Sequence, residues 1–243
     1  MITAIIPTLN EEDFIEEAIR SVSFATEIIV IDSFSQDQTA SICKKAKVKL
    51  IQREFDDFSS QKNFAINQAT YNWVFILDAD ERISAPLALE IKKVANDPQD
   101  FVAFSIYRTF YFKNKKVKYG GWQTDRVIRL FRKDKCKYDG KLVHEGVLCS
   151  GKVGLLKNRM DHYSFRNQEQ YEQKLKFYAA LQAKEIRNSG KKVYLTHQLV
   201  KPAFRFIVLY LIRFGFLDGK RGYVLARLHA KAVLNRYLLV IQK

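Results

Sequence analysis

The chain has 243 residues, 47% of them hydrophobic, and carries 41 Lys and Arg against 26 Asp and Glu, a net charge of +15. It can bury a proper core as one domain plus an appendage, and its charge asks for an anionic partner more extended than one nucleotide. Cys43, Cys136 and Cys149 are odd in number and lack C-x-x-C spacing, which excludes a disulfide framework or a zinc site; with no signal peptide before the first strand, a reducing, cytoplasmic setting is expected.

Taken in chain order, Ile2 to Pro7 predicts a first apolar strand, and Asn10 with Asp13 suggests a capping box before the helical spacing of Phe14, Ile15, Ala18, Ile19 and Val22. Glu27 to Asp32 predicts a second strand, with Ser35 and Gln38 as a capping pair for a helix through Thr39, Ile42 and Ala46. Val48 to Gln52 is a third, shorter strand, and Ser59 to Ala69 reads as a helix with Phe64 and Ala65 inward. A fourth apolar run, Val74 to Leu77, stops at Asp78, and a helix is expected from about Ala85. Such strand and helix alternation with short loops favours a mostly parallel α/β sheet.

Two carboxylates, Asp78 and Asp80, therefore stand where an inner strand ends. Buried acids need a compensating cation or several hydrogen bonds, and open parallel sheets bind ligands beyond the carboxyl ends of their strands. A divalent ion carrying a substrate diphosphate would meet that need; helix capping by the aspartates is the plainer alternative.

The loops after these strands read PTLNEE (Pro7 to Glu12), DSFSQDQT (Asp32 to Thr39) and DADE (Asp78 to Glu81). Together with Gln61-Lys62-Asn63 they resemble the successive motifs of the family 2 inverting glycosyltransferases of GT-A fold, over roughly the first hundred residues. The resemblance implies that Pro7, Thr8, Leu9, Asn10 and Glu11 hold a nucleotide, that Asp32 bonds a uracil ring, and that Asp80 binds a divalent metal, magnesium or manganese. Asp78 would face the ribose or the metal's water shell. Lys62 could meet phosphate as a point charge, although taken singly it reads as one more solvated lysine.

After Pro98 the pattern changes. Phe101 to Phe112 is aromatic and partly alternating, more like a strand pair than another strand-helix unit. The stretch from Gly120-Gly121-Trp122 through Asp125-Arg126 and Arg129-Leu130-Phe131 to His144-Glu145 resembles family 2 enzymes of lipopolysaccharide core assembly. An inverting transfer needs a general base for the acceptor hydroxyl. Glu145 is the first choice and Asp125 the second, each weighed against a structural ion pair with Arg126, Arg129 or Arg132. His162 stands where some GT-A enzymes supply a third metal ligand; a hydrogen-bonded structural histidine explains it nearly as well. Trp122, Arg126 and His144 are candidates for the acceptor site, with core packing the commoner role for Trp122.

Tyr171 to Arg187 reads as an amphipathic helix. From Val200 onward, aromatic and aliphatic residues mix with Lys201, Arg205, Arg213, Lys220, Arg221, Arg227, Lys231 and Arg236 against the single acid Asp218. Arg213, Lys220, Arg227 and Lys231 share one side on ideal helical spacing, and Gly215, Gly219 and Gly222 divide the segment in two. An interfacial helix pair on an anionic leaflet is expected, against a helical hairpin with solvated arginines.

The resulting organisation is 1–98 as a nucleotide-sugar half, 99–165 as an acceptor half, and 166–243 as a helical membrane-surface appendage. The expected activity is transfer of a hexose, glucose favoured, from a UDP-sugar donor to the inner core of a lipid-linked oligosaccharide, on the cytoplasmic face of the inner membrane. A nucleotidyltransferase is weakened by the absence of glycine in Pro7 to Glu12, and a nucleic-acid-binding protein by the lack of a binding motif; no nucleic acid partner is expected.

Overall fold

The computed structural model describes residues 1–141, 145–165, 168–190 and 193–241. They fall into two compact units, Met1–Arg108 with Arg126–His162, and Thr109–Asp125 with Tyr163–Lys243.

The first unit is built on strands β1 (Ile2–Thr8), β2 (Glu27–Asp32), β3 (Lys49–Gln52) and β4 (Trp73–Ile76), paired in parallel in the order β3-β2-β1-β4. Alternate residues of these runs feed two cores. Ala4, Ile6, Phe75 and Leu77 face one side, where helices α1 (Ile15–Ser21), α2 (Thr39–Lys45) and α4 (Ala85–Asn96) pack Ile15, Ile19, Cys43, Leu87 and Ile91. Ile5, Val74 and Ile76 face the other, where α3 (Phe58–Asn67) brings Ala65 and Ile66. Cover on both faces is the reason these strands read as continuous apolar runs. Phe64 is only half-buried, with the Arg53 guanidinium 5.1 Å from its ring centre.

The helix starts differ from the sequence reading. Asp57 caps α3 by accepting from Ser60 N at 2.8 Å, and Ser84 caps α4 from Leu87 N at 3.4 Å. Neither α1 nor α2 has a side-chain cap of the expected kind, because the residues assigned to that job join one loop to another. Asn10, at φ 54°, donates its amide to Ser35 Oγ and accepts from Gln36 N, each at 2.8 Å. Glu11 N donates to Thr39 Oγ1 at 2.8 Å, Glu12 N to Asp37 Oδ2 at 3.1 Å, and Gln38 N to Glu12 Oε2 at 2.9 Å. The loops after β1 and β2 are thereby stitched side by side.

Beyond β4 the sheet turns antiparallel. A two-residue strand β5 (Glu81–Arg82) follows the acidic turn, β6 (Phe101–Phe112) is one continuous strand of 12 residues rather than a strand pair, and β7 (Lys115–Lys116) folds back on it. Then come β8 (Arg126–Arg132), which lies between β4 and β6, a separate hairpin β9 (Cys136–Tyr138) with β10 (Val147–Cys149), β11 (Lys152–Leu155) beside β6, and β12 (Met160–Phe165). Within the first unit, β12 pairs antiparallel with β5, which sets His162 opposite Glu81.

The second unit has its own core of Phe110, Phe112, Val117, Tyr171, Leu225 and Leu228. Its helices are α5 (Gln168–Asn188), α6 (Leu195–Ile207) and α7 (Lys220–Ile241). Helix α6 runs on through one π-helical turn, Val208–Ile212, and a short 3-10 turn, Gly215–Asp218, leads to α7. Helix α7 packs against both α6 and α5, so the segment from Val200 onward divides into two helices as expected, with α5 as a third beside α7. Of the four basic residues expected on one side, Lys220, Arg227 and Lys231 keep that spacing along α7, whereas Arg213 sits in the turn before it; Lys231 pairs with Glu172 at 3.4 Å. Gly222, in the first turn of α7, is required by close approach, since a Cβ there would lie 1.7 Å from Gly215 O; the turn closes by backbone against backbone.

Candidate active site

The carboxyl ends of β1, β2 and β4 present their loops together at the point where the strand order reverses, the place an open α/β sheet offers to a ligand. Asp32, ending β2, has no exposed surface; its carboxylate accepts from Ser35 N at 3.1 and 3.3 Å, from the Ser35 hydroxyl, and from Gln52 Nε2 at 3.2 Å. Of the first loop, Pro7 is half-buried, Leu9 and Asn10 are exposed, Glu11 is half-buried, and Thr8 is buried with its hydroxyl lacking a hydrogen-bond partner among the described residues.

Helix α3 connects this loop pair to the acidic turn through three consecutive residues. Gln61 Nε2 donates to Ser33 Oγ at 2.7 Å, and Asn63 holds β9 by accepting from Tyr138 N at 3.0 Å. Between them Lys62 is buried, with Nζ 2.7 Å from Glu145 Oε1, 3.6 Å from Asp78 Oδ1 and 5.2 Å from the centre of the Tyr138 ring. The lysine taken singly for a solvated one is thus an interior cation. Burial opposes its charge, yet Asp78 and Glu145 keep its pKa above the ordinary lysine value.

Asp78 is held from two sides. Arg129, from β8, donates to Asp78 Oδ2 and, at 2.6 Å, to Glu81 Oε1, while Arg108 reaches the same Glu81 oxygen at 3.1 Å. Glu81 is wholly buried and also accepts from Asp78 N at 3.0 Å. Burial pushes the Asp78 carboxyl up, but Arg129, Lys62 and Arg108 outweigh it and hold it well below the usual range. Its side chain is still 35% exposed, so one edge faces solvent although its other neighbours crowd it. Three cations, Lys62, Arg108 and Arg129, here meet three carboxylates, Asp78, Glu81 and Glu145. This balance permits so many charges to be buried together.

Asp80, buried, lies beside His162, with Oδ2 3.3 Å from Nε2; the β5–β12 pairing makes that approach. One carboxylate oxygen set and one imidazole suit a magnesium or manganese ion that takes its other ligands from a diphosphate and water. Among the described residues there is no cluster of three or more His, Cys, Asp or Glu able to hold a metal without such help.

Glu145 sits in the β9–β10 connection, which is anchored by Ser59 Oγ donating to Lys141 O at 3.1 Å and by Asp139 N donating to Gly146 O at 3.0 Å. The Glu145 carboxylate pairs with Lys62, whereas Arg129 pairs with Asp78 and Glu81. Arg126 is exposed at the start of β8, opposite Tyr107. His144 lies outside the described residues. In the second unit, Asp125 ends a 3-10 turn, Trp122–Thr124, and Trp122 stacks on Phe110 with ring centres 4.2 Å apart and planes at 12°. Sequence reasoning missed Arg108, gave Glu81 no role beyond the DADE motif, and named Arg129 only as an ion-pair partner for Glu145 or Asp125. The one available signal was the recurrence of arginine at every third position, Arg126, Arg129 and Arg132, among apolar residues of β8.

The sequence matches the family described as Glycosyl transferase family 2 over residues 3–159, a span that contains every charged residue of this cluster. A glycosyltransferase of Rickettsia conorii is 31% identical over 235 residues, covering 92% of this chain and 83% of its own. The lipopolysaccharide core biosynthesis glycosyltransferase LpsC of Rhizobium meliloti is 28% identical over 253 residues, 98% of this chain and 93% of its own. Among solved structures, glucosyl-3-phosphoglycerate synthase from Mycobacterium tuberculosis, in complex with Mn2+, UDP and glucosyl-3-phosphoglycerate, aligns at 21% identity and a TM-score of 0.40 over 46% of this chain and 44% of that one. By the extent of the family match and of its relatives, the chain belongs to glycosyltransferase family 2.

Proposed function

We propose that the protein is an inverting, metal-dependent hexosyltransferase that moves a sugar, glucose favoured, from a UDP-sugar to the inner core of a lipid-linked oligosaccharide at the cytoplasmic face of the inner membrane. The observation that carries the reading is the grouping of Asp32, Asp78, Asp80, Lys62 and Glu145 at one end of the parallel strands, within the family-matched region. The name of the Rhizobium relative supports the choice of acceptor.

In this reading the Asp32 carboxylate accepts the ring N–H of uracil from a position already fixed by Ser35 and Gln52. The unpartnered Thr8 hydroxyl supplies a further polar contact to the nucleotide. A divalent ion held by Asp80 and His162 would offset the charge of the departing diphosphate. Lys62 orients Glu145, whose carboxylate takes the proton of the acceptor hydroxyl as that oxygen attacks the sugar from the face opposite the leaving group. Arg129 and Arg108 keep Asp78 and Glu81 ionised and fixed, so the acidic turn meets the donor without rearranging. Asp125 is the alternative base.

Calorimetric titration with UDP, with and without manganese, tests the donor site. Metal-dependent binding that Asp80→Asn abolishes is expected, together with loss of sugar transfer to a lipid-linked core acceptor. Near-normal transfer by Asp80→Asn would refute the proposal.

A further inference from the structure

The connection between α6 and α7 inverts the usual rule that turns are polar. Within it, five of the seven residues from Leu211 to Leu217 are exposed large hydrophobics: Leu211 at 52%, Ile212 at 59%, Phe214 at 54%, Phe216 at 44% and Leu217 at 55%. Ile207 and Phe204, one and two turns back along the chain from Leu211, extend the same apolar surface. A patch of this kind marks a contact site rather than ordinary surface.

Three further observations specify the occupant. Several of the turn's amides are satisfied within it: Arg213 N donates to Val208 O, Phe214 N to Leu211 O, Leu217 N to Phe214 O and Gly219 N to Phe216 O. These amides carry their own partners toward a lipid interface, where water no longer supplies them. Phe214 adopts φ 58°, a costly conformation for an aromatic residue, and does so with its ring held outward. The rim is cationic, with exposed Lys201, Arg213 and Lys220; the lone acid, Asp218, is engaged by Lys118 N and Tyr119 N at 3.1 and 2.8 Å.

We propose that this turn, Leu211 to Leu217, inserts as a wedge into the headgroup and upper acyl region of an anionic lipid leaflet, with the rim lysines and arginine on the phosphates. The mode differs from two helices lying flat, because α7 is packed between α5 and α6 and exposes few apolar residues. No described helix is long and apolar enough to cross a membrane, so the attachment is shallow.

The test is co-flotation of the full-length protein with phosphatidylglycerol or phosphatidylcholine vesicles, beside an Ile212→Ser/Phe214→Gly/Leu217→Ser variant and a Lys220→Ser/Arg221→Ser variant. Glycine at position 214 relieves the backbone cost, so the first variant keeps its fold, which circular dichroism checks. The wild type should bind phosphatidylglycerol vesicles; the apolar variant should lose at least about tenfold in partitioning, and the charge variant should weaken and lose salt sensitivity. In a Phe214→Trp variant, tryptophan emission should shift to the blue on anionic vesicles. Failure of the wild type to float, or equal binding by the apolar variant, overturns the proposal. So does a wild-type dimer that the apolar variant converts to monomer without any vesicle binding, since a second copy would then cover the patch. Vesicle binding requires neither donor nor acceptor, so this outcome is independent of the transfer reaction.

Discussion

Acidification should destabilise the second unit through His229. Its imidazole Nε2 lies 2.6 Å from the Tyr171 hydroxyl, its ring is 5.3 Å from that of Trp122, and Arg205 adds positive charge nearby. Burial first, and Arg205 second, push its pKa down to about 3 from the model-compound value of 6.5. The folded form thus prefers neutral imidazole, and the unfolded chain binds a proton that the folded one refuses. Stability from this site is complete above about pH 6.5, is lost as pH falls, and stops falling near pH 3, where both forms are protonated. Between pH 7 and pH 5 the loss approaches about 2 kcal/mol, from roughly 1.5 units at about 1.4 kcal/mol each. Because His229 is half-buried by surface area, solvent screening brings the figure nearer to about 1 kcal/mol. Urea denaturation at pH 7, 6 and 5, followed by the fluorescence of Trp122 in a Trp73→Phe background, measures it. His229→Gln, which keeps an acceptor for Tyr171, should flatten the dependence by that amount. Identical slopes for the two proteins would refute the reasoning.

Arg129→Met should leave Asp78 and the buried Glu81 without their shared guanidinium and destabilise the first unit by about 3–5 kcal/mol in urea titrations; a loss under 1 kcal/mol would mean that Arg108 alone suffices. His162→Ala should raise the manganese concentration needed for UDP binding by about tenfold or more while metal-free binding is unchanged, read by calorimetry. Asp57→Ala should cost about 1 kcal/mol by removing the α3 cap, a value chemical denaturation resolves. Gly222→Ala should destabilise the second unit by more than about 2 kcal/mol in thermal melts, since Gly215 backbone occupies the added methyl's place.

The parallel strands were legible because burial on both faces leaves an unmistakable mark, an apolar run ended by polar loops, and the ends of those runs located Asp32, Asp78 and Asp80. What the chain did with its neighbouring polar residues was not legible. Asn10 and Ser35 carry the local pattern of helix caps, but each lies within reach of the other's loop only after β1 and β2 pair. Lys62 carries no local sign of burial; Glu145, 83 residues on, supplies its counter-charge. The length of β6 is likewise decided by its distant partners β8 and β11, whereas its alternation by itself is equally consistent with a bent pair.

The stitching of the loops after β1 and β2 gives the proposed donor site an inheritance constraint. Five hydrogen bonds run between them, each joining a residue of one loop to a residue about 25 to 28 positions away in the other. Neither loop can be exchanged for a relative's without orphaning donors in its neighbour, so the pair behaves as one cassette. A chimaera that transplants both together should keep its rim intact, while one that transplants a single loop should loosen the nucleotide site even if every residue facing the nucleotide is preserved.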